Sequence, residues 1–128
     1  MDTKQLLIIT ALCGALSVLL GAFGAHTLKP LLSASQLSTW QTAVHYHQLH
    51  SVLAVGLCLR LLVAPNRRLT LAVYATLLGI LLFSGSLYGL ALDGPKLLGP
   101  ITPLGGLFLI LGWLLLMAYA IRLPAPER

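Results

Sequence analysis

Four stretches of this chain run for about twenty residues with scarcely a charge, and that feature confines the fold more than any other. A helix needs about 20 largely apolar residues to cross the hydrocarbon core of a bilayer. The first stretch extends from Gln5 to Ala25, with no charge between Lys4 and Lys29. The second covers Thr42 to Ala64, the third Leu69 to Leu92 and the fourth Thr102 to Ile121. The composition points the same way: of 128 residues, 58% are hydrophobic and 9% charged, with a mean hydropathy of +0.92. A soluble domain averages about 25% charged residues because it needs a polar surface. Eight basic and three acidic side chains cannot coat a globule of this size. The reading is an all-α membrane protein: a compact bundle of four transmembrane helices in one small domain spanning residues 1–128.

The breaks between the runs fit this plan. Pro65-Asn66-Arg67-Arg68 is a tight polar turn, and Asp93-Gly94-Pro95-Lys96 ends the third run. Thr102-Pro103 reads as an N-cap followed by proline at the first helical position. The connection from Lys29 to Thr42 is the longest. Its Leu37, Trp40 and Val44 fall at i, i+3 and i+7, which predicts a short interfacial helix with Trp40 at headgroup depth. The first run superficially resembles a signal peptide, but it is longer than an ordinary signal core and reads as a true span. With the N-terminus inside, the inner side carries Lys4, Arg60, Arg67, Arg68, Arg122 and Arg128, the outer side only Lys29 and Lys96. The positive-inside rule therefore places both termini in the cytoplasm. The net charge of +5 does not indicate nucleic-acid binding, since the basic residues sit singly or in pairs beside apolar runs and form no water-facing patch.

Lipid gives helices no hydrophobic reason to associate, so small residues that allow close approach carry the packing. Cys13, Ser17, Gly21 and Ala25 form such a stripe in the first span; Gly85 and Gly89 do so in the third, and Gly105 and Gly112 in the fourth. These faces suit either the interior of the bundle or contacts with another copy or another membrane protein. No internal repeat is apparent, which disfavours a transporter built from duplicated halves.

The polar residues of the spans are the functional candidates, because polar groups at membrane depth face the bundle or a cavity. His26 closes the first span, and His45, His47 and His50 lie in the first part of the second. At about 100° per residue, Tyr46 and His50 share a face, His47 nearly joins them, and His45 points about 140° away. A pocket framed by His26, Tyr46 and His50, with His47 at its edge, follows. It has three readings: histidines that fix packing by bonding to each other or to Tyr46, a lipid-headgroup or small-ligand site, or ligation of a transition metal or haem iron. His45 and His47 lie close enough to the interface to be merely hydrated. Asp93 is the only acid away from the chain ends, so paired carboxylates for acid–base catalysis are missing. Ser84 and Ser86 have no base beside them and are expected to bond to backbone within their own helix. Cys13 and Cys58 read as small buried residues, too far apart in the chain for a CxxC motif. No enzymatic activity is expected.

Several blocks of residues resemble a known family. They are Gly21-Ala22-Phe23-Gly24-Ala25-His26, then Trp40-Gln41-Thr42 with Tyr46 and His50, then Leu82-Phe83-Ser84-Gly85-Ser86-Leu87-Tyr88 with Leu90-Ala91-Leu92. Thr102-Pro103-Leu104-Gly105-Gly106 and Gly112-Trp113 complete the set. In this order they resemble domain of unknown function 423, the YgdD-like small bacterial inner-membrane proteins, to which the eukaryotic transmembrane protein 256 group is related. The match extends over residues 6 to 122. The resemblance implies a four-span inner-membrane protein and no known activity. His26, Tyr46 and His50 match the family pattern, whereas His45 and His47 depart from it, which speaks against a general three-histidine metal site in the second span.

The sequence thus predicts a non-enzymatic protein of the bacterial cytoplasmic membrane that needs no cofactor. Its outer-side pocket is framed by His26, Tyr46 and His50, with Ser86, Tyr88, Thr102, Gly105 and Gly106 as further walls. The rival readings are an assembly subunit of a membrane complex, a metal or haem protein, and a small transporter or channel.

Overall fold

Three of the four helix starts are set by a side chain that satisfies the free N–H groups of the first turn. In the computed structural model, which describes residues 1–125, α1 (Thr3–Phe23) opens on a capping box. Asp2 accepts from the Gln5 N–H at 2.8 Å, and the Gln5 side chain accepts from the Asp2 N–H at 3.0 Å. Ser33 and Gln36 repeat the arrangement at the start of α2 (Ala34–Val63). Asn66 caps α3 (Arg67–Ala91) by accepting from Arg68 and Leu69. The fourth helix, α4 (Leu98–Ala120), has no side-chain cap. All four are long and apolar enough to cross a membrane, as the apolar runs predict.

Two boundaries differ from the sequence reading. The interfacial helix expected between the first two spans is not a separate element: its residues form the first turns of α2, which is 30 residues and about 45 Å long. No proline or glycine interrupts the chain between Ser33 and Gly56. Trp40 is buried, 3% exposed, and its indole N–H donates to the Leu20 carbonyl at 2.9 Å. That bond docks the segment onto the first span. The fourth helix begins at Leu98, so Thr102 is not its cap and Pro103 lies inside it. Pro100 fits the first turn, where no N–H has an intrahelical acceptor. The Thr102 hydroxyl lies 2.6 Å from that of Ser86, tying the proline-bearing turn to α3.

The helices pack in chain order, α1 on α2, α2 on α3 and α3 on α4. The outer two are the less buried: 17% of the apolar window is buried in α1 and in α4, against 39% in α2 and 50% in α3. Leu57, Cys58 and Leu61 of α2 meet Leu69, Ala72 and Val73 of α3, with Leu6 of α1 closing that core. Ser84 donates to the Ala43 carbonyl at 2.8 Å, bridging α3 and α2 where a bond within its own helix was expected. Ser86 does donate within its helix, to Phe83.

Several glycines stand at close approaches, and two of them, Gly105 and Gly24, fix how the helices seat. A Cβ on Gly105 would lie 2.6 Å from the Leu82 carbonyl carbon and 2.7 Å from Phe83 Cα, so α4 seats directly on the α3 backbone. A Cβ on Gly24 would lie 2.5 Å from the Trp40 indole. Gly24 opens a π-helical turn, Gly24–Leu28, that prolongs α1 past this contact. By contrast, Gly85 packs against nothing; the nearest atom to a Cβ there is Leu81 Cδ1 at 4.0 Å.

Because the α3 backbone cannot yield as a side-chain tip can, Gly105→Ala is expected to destabilise the bundle by about 2 kcal/mol. Gly85→Ala, in open space within a helix, should be neutral or stabilising by about 0.5–1 kcal/mol. Unfolding of both variants in detergent measures the difference, and equal effects would contradict the assigned α3–α4 seat.

Candidate functional site

α2 is one of the two inner helices of the bundle, so the histidines on its different faces meet different helices. His47 is buried and faces the seam between α1 and α3. Its Nε2 lies 3.3 Å from Cys13 Sγ, and its Nδ1 lies 2.9 Å from the Tyr88 hydroxyl. Thiol and phenol can each donate or accept. The Cys13–His47–Tyr88 chain is therefore satisfied with either imidazole tautomer. The Tyr88 ring also packs on Trp40 at 4.7 Å between centroids.

His50, equally buried, faces α4. The Trp113 indole N–H donates to His50 Nε2 at 3.1 Å. Indole nitrogen is a donor only, so Nε2 is the acceptor and Nδ1 carries the proton, which it donates to the Tyr46 carbonyl at 2.8 Å. Tyr46 stacks on the His50 imidazole with centroids 5.9 Å apart and ring planes 7° apart, and it tilts against Phe83 at 4.7 Å. The shared face of Tyr46 and His50 expected from helix geometry is thus observed.

The remaining predicted site residues fall elsewhere. His26 is exposed on the π-helical turn. Gly24 sets the register by packing on Trp40, and ten residues of helix put His50 about 15 Å further along α2. His26 therefore does not join Tyr46 and His50. His45 is exposed, beside a cavity of about 240 Å³ lined by Gly24, Trp40 and Gln41 among others. Ser86, Thr102 and Gly105 serve the α3–α4 contact, and Gly106 lies beside the Phe83 ring. Tyr88 belongs with His47. His47 itself, expected at the wet edge, is 3% exposed, because α2 has neighbours on both sides. Among the described residues, no group of three or more His, Cys, Asp or Glu is placed to hold a metal ion. Both ring nitrogens of His47 and of His50 already have protein partners.

Cys13 and Trp113 are the residues that sequence reasoning undervalued. Cys13 stood in the small-residue stripe expected to face a neighbouring helix, and that position was its only signal. Nothing in the pattern pairs Trp113 with His50, since the pairing depends on where the packing of α4 on α3 brings the Trp113 side chain relative to α2.

The cysteine–histidine–tyrosine chain forms one wall of a groove of about 320 Å³ between α1 and α3. Apart from these three residues the lining is Ile9, Leu16, Leu20, Leu77, Ile80, Leu81 and Gly85. The missing side chain at Gly85 helps to keep it open.

Comparison with known sequences shows what the chain is similar to. The family described as "Protein of unknown function (DUF423)" matches residues 20–106. A UPF0382 membrane protein of Staphylococcus haemolyticus is 42% identical over 116 residues, covering 89% of this chain and 93% of that protein. The UPF0382 inner membrane protein YgdD of Escherichia coli K12 is 39% identical over 127 residues, covering 96% and 94%. The UPF0382 membrane protein YwdK of Bacillus subtilis is 38% identical over 123 residues, covering 93% and 98%. No solved structure matches the chain.

The His50–Trp113 bond should register as a coupling energy. His50→Phe and Trp113→Phe are each expected to destabilise the protein in detergent, and the double variant by less than their sum. The interaction energy should be about 0.6–1.5 kcal/mol, the range for hydrogen bonds between membrane helices. Additive losses would show that the two side chains do not interact.

Proposed function

This chain belongs to the DUF423 family of membrane proteins of unknown function, and on that premise we propose that it binds an amphiphilic small molecule or lipid in the groove between α1 and α3. The observation that carries the reading is the satisfied Cys13–His47–Tyr88 chain placed at the wall of an otherwise apolar groove. Ligand sites are mostly apolar clefts with a few placed polar groups, and their volumes begin at about 300 Å³. A polar headgroup entering the groove would exchange hydrogen bonds with the Tyr88 hydroxyl or the Cys13 thiol. Its hydrocarbon part would lie along Leu16, Ile80 and Leu81. Because the phenol and the thiol are each able to donate or accept, the site suits a carbonyl or a hydroxyl headgroup equally.

The role is binding without chemical transformation. Cys13 and His47 have the spacing of a nucleophile and its base, but apart from Tyr88, whose hydroxyl is already engaged with His47, the other groove residues are aliphatic side chains and a glycine, so no pair of free donors converges on a developing oxyanion. The protein is proposed to sit in the bacterial cytoplasmic membrane with both termini in the cytoplasm. That orientation rests on the excess of Lys and Arg at the end of the bundle that carries the termini.

Gly85→Leu fills the groove without meeting any packed neighbour, so it tests binding apart from folding. In membranes of the producing cells, a diazirine-bearing fatty alcohol should label α1 and α3 of the native protein. Labelling should fall at least about tenfold in Gly85→Leu and in His47→Leu, as expected when the best part of a site is lost. Undiminished labelling of Gly85→Leu would overturn the groove as the site. In the same cells a C-terminal green fluorescent protein should fluoresce; a dark fusion with an active periplasmic reporter would reverse the orientation.

A further inference from the structure

At the end of the bundle that carries both termini, three arginines from three different segments line one cavity. Arg60 belongs to the last turn of α2, Arg68 to the first turn of α3, and Arg122 follows α4. The cavity is about 230 Å³, and its other lining residues are Ala64, Pro65, Asn66, Tyr119 and Leu123. Among the described residues that line the cavity, three are cationic and none is acidic. The Arg60 guanidinium lies 5.7 Å from the centre of the Tyr119 ring, which holds it against α4. Arg60 Nη1 and the Tyr119 hydroxyl are both buried and have no hydrogen-bond partner among the described residues. Buried donors are normally paired, because an unmade hydrogen bond carries the full desolvation cost. Two orphaned donors among convergent positive charges are the features of an anion site.

A second cavity adjoins the first and shares Arg60 and Tyr119 with it. It measures about 240 Å³ and is otherwise lined by Val52, Leu53, Gly56, Leu57, Leu69 and Leu116, so it runs between α2 and α4 towards the middle of the membrane. A free phosphate would fill the first cavity and leave the second unused. A polar, positively charged cup opening into an apolar groove has the shape of one headgroup and one acyl chain.

We propose that the Arg60–Arg68–Arg122 cup and the α2–α4 groove together form a binding site for an anionic phospholipid. The phosphate is held by the guanidinium groups and the Tyr119 hydroxyl, and one acyl chain lies over Gly56. Arginine forks match phosphate oxygens two at a time, which favours such a site over simple surface attraction. Basic pockets between helices at the cytoplasmic face are a recognised means of holding anionic headgroups. The site is distinct from the α1–α3 groove and does not depend on it.

Native mass spectrometry of the full-length protein in nanodiscs tests this, with phosphatidylglycerol and phosphatidylcholine of the same acyl chains as probes. The native protein should retain phosphatidylglycerol about tenfold over phosphatidylcholine, and the double variant Arg60→Gln/Arg122→Gln should lose that preference. Arg122→Gln alone, an exposed position, should weaken it without affecting folding. Gly56→Leu has no atom within 4 Å of its new Cβ, so the fold should tolerate it while the side chain obstructs the groove. It should reduce lipid retention and leave binding of inorganic phosphate unchanged. Equal retention of the two lipids by the native protein would overturn the proposal. So would inorganic phosphate binding together with full lipid retention in Gly56→Leu, since that result marks a free-anion site.

Discussion

The arrangement of this protein depends on how α2 satisfies its polar groups. Inside a bilayer no water is at hand for an unpaired donor, so a polar side chain carried into the membrane is stabilised by a partner in the protein. α2 finds them on every side. Trp40 donates to α1, His47 bridges Cys13 of α1 and Tyr88 of α3, His50 accepts from Trp113 of α4, and the Ala43 carbonyl accepts from Ser84 of α3. These bonds fix α1 and α3 against α2 and tie α4 to it through Trp113, and glycine contacts such as Gly105 on the α3 backbone supply the close approach that apolar attraction cannot.

The same arrangement leaves space at its margins. α1 packs on α2 and stands off from α3, which opens the groove beside His47. α4 leans on α3 and stands off from α2, which opens the groove above Arg60. Each groove has polar groups along part of its wall and aliphatic side chains along the rest. One presents neutral groups that donate or accept; the other presents positive charge. If the two proposals hold, the grooves take different ligands.

Much of the fold was legible in the sequence. The four spans follow from length and apolar character, and the stripe of Cys13, Ser17 and Gly21 does fall against α2. The Ser33 and Gln36 capping box also marked the true start of α2, but the interfacial pattern of Leu37, Trp40 and Val44 masked it. The site was legible only in part. Helix periodicity places Tyr46 and His50 together within one element. It says nothing about the axial register between elements, and that register, set by Gly24 on Trp40, separates His26 from His50. It also gives no warning that α2 is an inner helix, which is why His47 is buried and why neighbouring histidines serve different helices.

The central claim, that α2 is held by imidazoles bonded to neighbouring helices, can be read directly from the protonation pattern of His50. Solid-state nitrogen NMR of the protein in lipid bilayers, with labelled histidine and tryptophan, distinguishes the two ring nitrogens. The structure predicts a neutral His50 with its proton on Nδ1 and a bare Nε2 coupled to the Trp113 indole proton. A protonated Nε2, or ring nitrogens exchanging with water, would contradict it.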